Sequence, residues 1–220
     1  MCIRDSSITA IGSILIQIAV NGLGSTYVAA VTAATKVSQL LCCPIDAMGS
    51  TMATYGGQNV GAGKIKRVGR GLFDCSCLGV GYSIVAFLII LFLGRTISML
   101  FVNDANAGSV EEILALSQQF LVYNGAFYIL LAFVNIVRFL IQGMGFSQIA
   151  IFSGVFEMIA RGVVALAMVP TLGFNAVCFA NPAAWLLADC FLFPLFFWSY
   201  NKLKKKFGVK DAEKEVVKEA

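Results

Sequence analysis

The stretch Cys75–Gly94 reads CSCLGVGYSIVAFLIILFLG and carries no charged side chain. A helix needs about 20 apolar residues to cross the hydrocarbon core of a bilayer, and this stretch is long enough. Three further stretches also lack charge, at residues 6–35, 113–137 and 162–188. Because the hydrocarbon core offers no water to the backbone, such segments cross it as helices. The sequence therefore predicts an all-α membrane protein.

The overall composition supports a lipid environment. Apolar residues make up 59% of the chain and charged residues 13%, against roughly 45–50% and 25% in soluble domains. A soluble fold of 220 residues has too little interior to hide that much apolar surface. The composition therefore argues against a soluble domain with an unusually apolar core.

Turn signals divide the chain into six spans. Glycine clusters at residues 22–24 and 61–63 and the proline at 170 interrupt the apolar segments. The expected helices cover about residues 7–21, 27–60, 71–101, 110–143, 147–169 and 175–200. They form one six-transmembrane-helix bundle over residues 1–206, and residues 207–220 form a charged cytoplasmic tail.

The basic residues favour one side of the membrane. The loop after the second span and the segment after the sixth hold eight of the sixteen: Lys64, Lys66, Arg67, Arg70, Lys202, Lys204, Lys205 and Lys206. The opposite side has two uncharged loops and residues 94–112, with one arginine and three acids. Since Lys and Arg mark cytoplasmic loops, both termini are expected in the cytoplasm. We expect a multi-pass protein of the plasma (inner) membrane.

Several chemistries are excluded or disfavoured. The chain has no histidine, which excludes histidine zinc sites and Ser-His-Asp triads. The seven cysteines lie mostly in apolar segments and are interpreted as packing residues. The glycine-rich run Gly56–Gly63 lacks the Gly-Lys-Ser/Thr ending of a phosphate-binding loop. The membrane surface explains the basic loops, so we expect no nucleic-acid partner, no cofactor and no catalytic residue.

Polar residues inside the spans are the candidate functional residues, because ionisable groups at membrane depth are expensive. Glu157 and Arg161 are four residues apart on one helix face. They either neutralise each other and hold the helix to a neighbour, or line an aqueous cavity. Asp46 follows Pro44, which predicts a bend of the kind that lines transport sites. Asp189 is expected near a helix end, at the interface.

Other polar residues follow the same helical spacing. Lys36 and Gln39 fall near the face of Asp46, and Asn124, Tyr128 and Asn135 form one stripe. Such stripes serve either as cavity lining or as hydrogen bonds between helices. The complete set of candidate pathway residues is Gln17, Asn21, Lys36, Gln39, Asp46, Asn124, Tyr128, Asn135, Arg138, Glu157 and Arg161.

Five segments resemble a known family. They are AAVTAATKVSQL at 29–40, GQNVGAGK at 57–64, RFLIQGMG at 138–145, SGVFE at 153–157 and NPAAW at 181–185. The chain resembles the second half of the multidrug and toxic compound extrusion (MATE) transporters over about residues 7–206. The run at 57–64 is the most specific of these segments.

The resemblance implies a function and a missing partner. Members of the family have twelve helices in two bundles and expel small cationic or amphipathic compounds against inward Na⁺ or H⁺. It implies that this chain is the second bundle of such an antiporter, without its N-terminal half. Some members carry cation-binding acids where this sequence has Thr9 and Leu131. Coupling would then lie in the missing half, or involve Asp46 or Glu157.

Three alternatives stay open at this point. A lipid-linked precursor flippase of the same superfamily would have a cationic cavity, for which Lys36, Arg138 and Arg161 are candidates. A membrane-embedded enzyme is disfavoured by the absence of histidine and of a recognisable nucleophile. A purely structural bundle is disfavoured by the ionisable residues in its spans.

Overall fold

The computed structural model describes residues 2–102 and 110–219, with side chains described for residues 10–102 and 110–208. Within these ranges the chain is helical and contains no strand. The helices are α1 Cys2–Asn21, α2 Ser25–Gly61, α3 Ile65–Met99, α4 Val110–Ala126, α5 Tyr128–Ile141, α6 Ser147–Val163, α7 Val169–Leu172 and α8 Phe174–Glu219. Two π-helical segments, Gln142–Phe146 and Val164–Met168, follow α5 and α6.

These helices make six spans. Four apolar segments are long enough to cross a membrane: Ser25–Gly61, Ile65–Met99, Tyr128–Leu172 and Phe174–Gly208. The third contains a reversal of the chain at Gly145. Helices α4 and α5 together form the fourth span, and α6 and α7 with the π-helical segment between them form the fifth. The predicted all-α bundle of six transmembrane helices is confirmed.

Gly145 is where the fourth span turns back into the fifth. Its φ of 94° is accessible to glycine but strained for other residues. In a straight helix, Arg138 and Glu157 would be about 28 Å apart along the axis. Their side chains instead form an ion pair, so α5 and α6 fold back towards each other. Glycines with positive φ also occupy the other three described turns, at positions 24, 63 and 173.

Helix α2 is central to the packing. It contacts α3, α4 and α5, while α8 contacts α4, α5 and α6, and α1 lies mainly against α6. Gly49 and Gly56 of α2 face Phe139 and Leu140 of α5, and a methyl group at either glycine would meet those side chains. The small residues therefore allow the two helices to approach closely.

Pro44 and Pro170 are accommodated differently. Helix α2 continues without a break through Pro44, and the bend expected beside Asp46 stays a prediction. Because Pro44 has no N–H, the Leu40 carbonyl lacks the amide donor that it would have in a regular helix. The Tyr82 hydroxyl donates to the neighbouring carbonyl oxygen, that of Leu41, at 2.8 Å. Before Pro170, the wider π-helical segment Val164–Met168 accommodates the proline ring and its missing amide.

The helix ends also differ from expectation. Helix α3 begins at Ile65 rather than near residue 71, and α8 continues to Glu219 rather than ending near residue 200. The charged segment 207–219 is thus a continuation of the last helix. The fourth span is interrupted at Phe127, whose ψ of 12° departs from helical geometry. Asp104, counted above among the acids of residues 94–112, lies outside the described residues.

Candidate functional site

A cavity of about 320 Å³ opens between α2, the junction of α4 and α5, and α8. Its lining includes three aromatic residues, Phe120, Tyr128 and Trp185. Asp46 is the only ionisable carboxylate among the described residues that line it. The other lining residues are small or polar: Thr35, Ser38, Gln39, Cys42, Cys43, Asn124 and Asn181.

The Asp46 carboxylate is held by a residue of α5 that does not line the cavity. Asn135 of α5 donates from Nδ2 to Asp46 Oδ1 at 2.9 Å. Asp46 remains exposed at the bundle surface, so its other oxygen is accessible. One carboxylate fixed beside aromatic rings is an arrangement that suits a cation, because aromatic faces also attract positive charge.

A line of hydrogen bonds leads from this cavity into the bundle. Asn181 of α8 donates to Asn124 Oδ1 at 3.0 Å. Arg161 donates from Nε to Asn181 Oδ1 at 3.3 Å. Asn124 in turn donates to the backbone carbonyl oxygen of Phe120 at 2.8 Å. The cavity wall is thereby connected to charged groups on α6.

Those charged groups form a buried cluster of four. Glu157 pairs with Arg138 and, at 3.3 Å, with Arg161. Asp189 of α8 is electrostatically coupled to Arg138. The four residues are between 3% and 7% exposed. Pairing with an opposite charge is how such groups are tolerated at membrane depth.

Comparison with protein families gives a match to the MatE family model over residues 3–167. This match covers most of the chain. The chain belongs to the MatE family. None of the curated proteins searched matches it.

Solved MATE structures have the same fold. "Crystal structure of MATE in the bent conformation" aligns with 93% of this chain and 45% of its own, at TM-score 0.81 and 16% identity. "Outward-facing conformation of a multidrug resistance MATE family transporter of the MOP superfamily" aligns with 91% and 45%, at TM-score 0.80 and 16% identity. A third, "Crystal structure of MATE in complex with MaL6", has a TM-score of 0.82 with 17% identity, covering 92% of this chain and 45% of its own. This chain spans slightly less than half of these structures.

The structure of this MatE-family chain brings together only some of the predicted pathway residues. Four of them line the cavity: Gln39, Asp46, Asn124 and Tyr128. Asn135 binds Asp46 from outside the lining. Three more, Arg138, Glu157 and Arg161, belong to the buried cluster. The ion pair predicted between Glu157 and Arg161 is present.

Three predicted residues lie away from the cavity. Gln17 and Asn21 of α1 are exposed and hydrogen-bond each other at 3.2 Å. Lys36 is exposed on α2 and does not line the cavity, although Gln39 and Asp46 on the same helix do. As the spacing predicts, Lys36 is exposed on α2 together with Gln39 and Asp46, but only the latter two line the cavity.

Two polar residues were missed or misplaced. Asp189 was expected at the membrane interface, but it is 5% exposed and close to Arg138 of α5. Asn181 joins the cavity to Arg161. It was noted only within the NPAAW segment, and its position next to Pro182 gave no indication of a partner on another helix.

The surface of the MatE bundle is not uniform. Helix α3 exposes aliphatic and aromatic side chains such as Leu78, Ile84 and Phe92. Helix α2 instead exposes a polar stripe that includes Lys36, Gln39 and Asp46. Its Ser and Thr hydroxyls bond carbonyls of their own helix, for example Ser50 to Asp46 at 3.0 Å. The longer polar side chains lack such local partners, so this face is poorly suited to lipid.

Proposed function

We propose that this chain is the second six-helix half of a secondary transporter that exports small cationic or amphipathic compounds against inward Na⁺ or H⁺. The cavity around Asp46 carries the proposal. Its volume of about 320 Å³ is at the lower end of ligand-binding sites, as expected for half of a shared cavity. A compound bound here would meet one negative charge and three aromatic faces.

The polar stripe of α2 supports a second bundle. Lys36, Gln39 and Asp46 would be costly to place against hydrocarbon. A facing bundle would cover them and close the open side of the cavity. Alternating access then requires the two bundles to rock about this shared site.

This half of the transporter offers few residues that could bind the coupling ion. At the positions where the resemblance implies cation-binding acids, Leu131 is a half-buried aliphatic side chain and Thr9 lies outside the described side chains. Asp46 is the carboxylate accessible from the cavity. Glu157 is already neutralised by two arginines. We therefore propose Asp46, or a site in the other half, for coupling.

The charge of the cavity favours export of cations over the flippase alternative. An anionic lipid-linked precursor requires positive groups in the cavity wall. Arg138 and Arg161 are instead buried and paired with acids, and Lys36 does not line the cavity. The MatE family consists of transporters, and we propose no enzymatic activity for this chain.

The first test is the coding sequence upstream of Met1, where we expect a second six-span half.

The second test is efflux of a fluorescent organic cation from cells that express both halves. Asp46→Asn should reduce efflux at least tenfold, because it removes the charge that binds the cation. Asp74→Asn is the matched control, since Asp74 is also an acid in an apolar helix but lies on α3, away from the cavity.

Two outcomes would reject this function. One is the absence of efflux under both a Na⁺ and a proton gradient, with both halves present in the membrane. The other is equal loss of efflux in the Asp46 and Asp74 variants, which would show that Asp46 has no special role.

A further inference from the structure

A basic cleft lies at the end of the bundle where α2 turns into α3. It has a volume of about 550 Å³ and lies between this turn, the start of α3 and the end of the apolar part of α8. Its charged lining residues are Lys64, Lys66, Arg67 and Lys204. No acidic residue lines it among those the structure describes, since Asp74 lies farther along α3. The cleft therefore suits an anion.

An apolar groove continues from this cleft into the membrane. It has a volume of about 750 Å³ and lies between α3 and α8, with Phe133 of α5 contributing to its lining. Tyr200 lines both the cleft and the groove, so the two are adjoining. The groove exists because α3 and α8 barely contact each other. Phe73 and Phe197, which are 68% and 60% exposed, line it without being covered.

The depth of the groove matches one leaflet of a bilayer. Its lining on α3 extends from Gly69 to Val80, which is about 16 Å along the helix. This is about half of the ~30 Å hydrocarbon thickness. An acyl chain that starts at the membrane surface would fill this length. A groove meant for a second transmembrane helix would instead be expected to extend across both leaflets.

We propose that the cleft and the groove together bind one anionic phospholipid. Its phosphate lies among Lys64, Arg67 and Lys204, and one acyl chain lies along the face of α3 that carries Phe73 and Cys77. Basic residues near a membrane surface attract anionic headgroups. The lipid would fill the space between α3 and α8 and hold the two helices at their observed separation. This site is separate from the cavity around Asp46 and does not depend on what is transported.

The test is lipid binding by the protein purified from membranes in the form that the cell makes. Native mass spectrometry would follow titration with dioleoyl phosphatidylglycerol or dioleoyl phosphatidylcholine. We expect the anionic lipid to bind at least tenfold more tightly. The double variant K64Q/K204Q should weaken that binding about 25-fold, or roughly fivefold for each charge. The control K205Q/K206Q removes the same charge outside the cleft and should change it less than about twofold.

A second pair of variants tests the groove without changing charge. Cys77→Trp places a large side chain in the groove, whereas Leu78→Trp is exposed on α3 outside it. Cys77→Trp should reduce binding of phosphatidylglycerol at least fivefold, and Leu78→Trp should leave it unchanged. Both sites are exposed, so neither change disturbs the core.

Four results would overturn the proposal. Equal affinity for the two lipids would show that the basic cleft does not select charge. Equal weakening by the two double variants would indicate attraction to the surface as a whole. Equal effects of the two tryptophans would mean that no chain lies in the groove. If glycerol 1-phosphate displaced the lipid at similar concentrations, the ligand would be a free phosphate rather than a phospholipid.

Discussion

Two carboxylates of this bundle illustrate how surroundings decide the role of a residue. Asp46 accepts one hydrogen bond from Asn135 and is otherwise open to the cavity. Glu157 is buried between Arg138 and Arg161. A ligand can reach Asp46 without breaking an ion pair. Glu157 on α6 instead pairs with Arg138 of α5 and with Arg161, which donates to Asn181 of α8, so its contacts connect three helices. We therefore propose that a ligand binds at Asp46 and that Glu157 maintains the packing of the bundle.

Glu157→Gln should abolish transport while leaving membrane insertion normal. The change leaves two buried arginines with Asp189 as their remaining acid, and an uncompensated buried charge costs about 3–5 kcal/mol. The melting temperature in detergent should fall with the transport rate. The control is Glu111→Gln, which breaks the exposed ion pair with Arg95 and should cost less than about 1 kcal/mol. If Glu157→Gln left stability and transport unchanged, the buried charged cluster would be needed for neither.

At the scale of the elements, the contact between α2 and the end of α5 depends on glycine. A methyl group at Gly143 would collide with the backbone carbonyl of Ala53. A backbone atom cannot move aside as a flexible side chain can, so this position requires glycine. The contact fixes where the fourth span ends and thereby positions Gly145 for the turn into α6.

Gly143→Ala should destabilise the bundle by about 1–3 kcal/mol, because α2 and α5 would have to separate. The measurement is the melting temperature followed by size-exclusion chromatography in detergent. Gly61→Ala is the matched control, since it lies at the end of α2 with open space around the added methyl group. If the two variants melted at the same temperature, the close approach of α2 and α5 would contribute little to stability.

At the scale of the whole molecule, the placement of charge sets the orientation. Lys66 at the start of α3 and Lys206 near the end of the described part of α8 are both exposed at the end of the bundle that holds the basic cleft. Glu112 is at the start of α4, after α3 has crossed the bundle. The two basic positions should therefore face the cytoplasm, and Glu112 the opposite side.

Single cysteines test this orientation in a background without the native ones. A membrane-impermeant maleimide added to intact cells should label Glu112→Cys, but should label Lys66→Cys and Lys206→Cys only after the membrane is opened. Labelling of Lys66→Cys and Lys206→Cys from opposite sides would contradict the six-span topology itself.

The number of spans and the turns between them could be predicted from the sequence because both have local causes. An apolar run such as Cys75–Gly94 crosses a bilayer whatever its neighbours are, and glycine permits the backbone angles of a tight turn wherever it occurs. The interruption at Phe127 was not predicted. Contacts between helices cannot be read from a local stretch of sequence, as the hydrogen bond from the Tyr82 hydroxyl of α3 to the Leu41 carbonyl oxygen of α2 shows.

The sequence by itself determined that this chain crosses a membrane as six helices and which of its polar residues are candidates, since hydrophobicity and helical spacing are local properties. Only the tertiary structure decided which candidates meet. It joined Asp46 to Asn135, which lies on a helix distant in the sequence, and Glu157 to Arg138 on the preceding helix. It also places Asp189 in the buried cluster, whereas the sequence predicts that Asp189 lies at the membrane interface. The physical reason is that spacing along one helix is local, whereas contacts between helices depend on how the whole bundle packs.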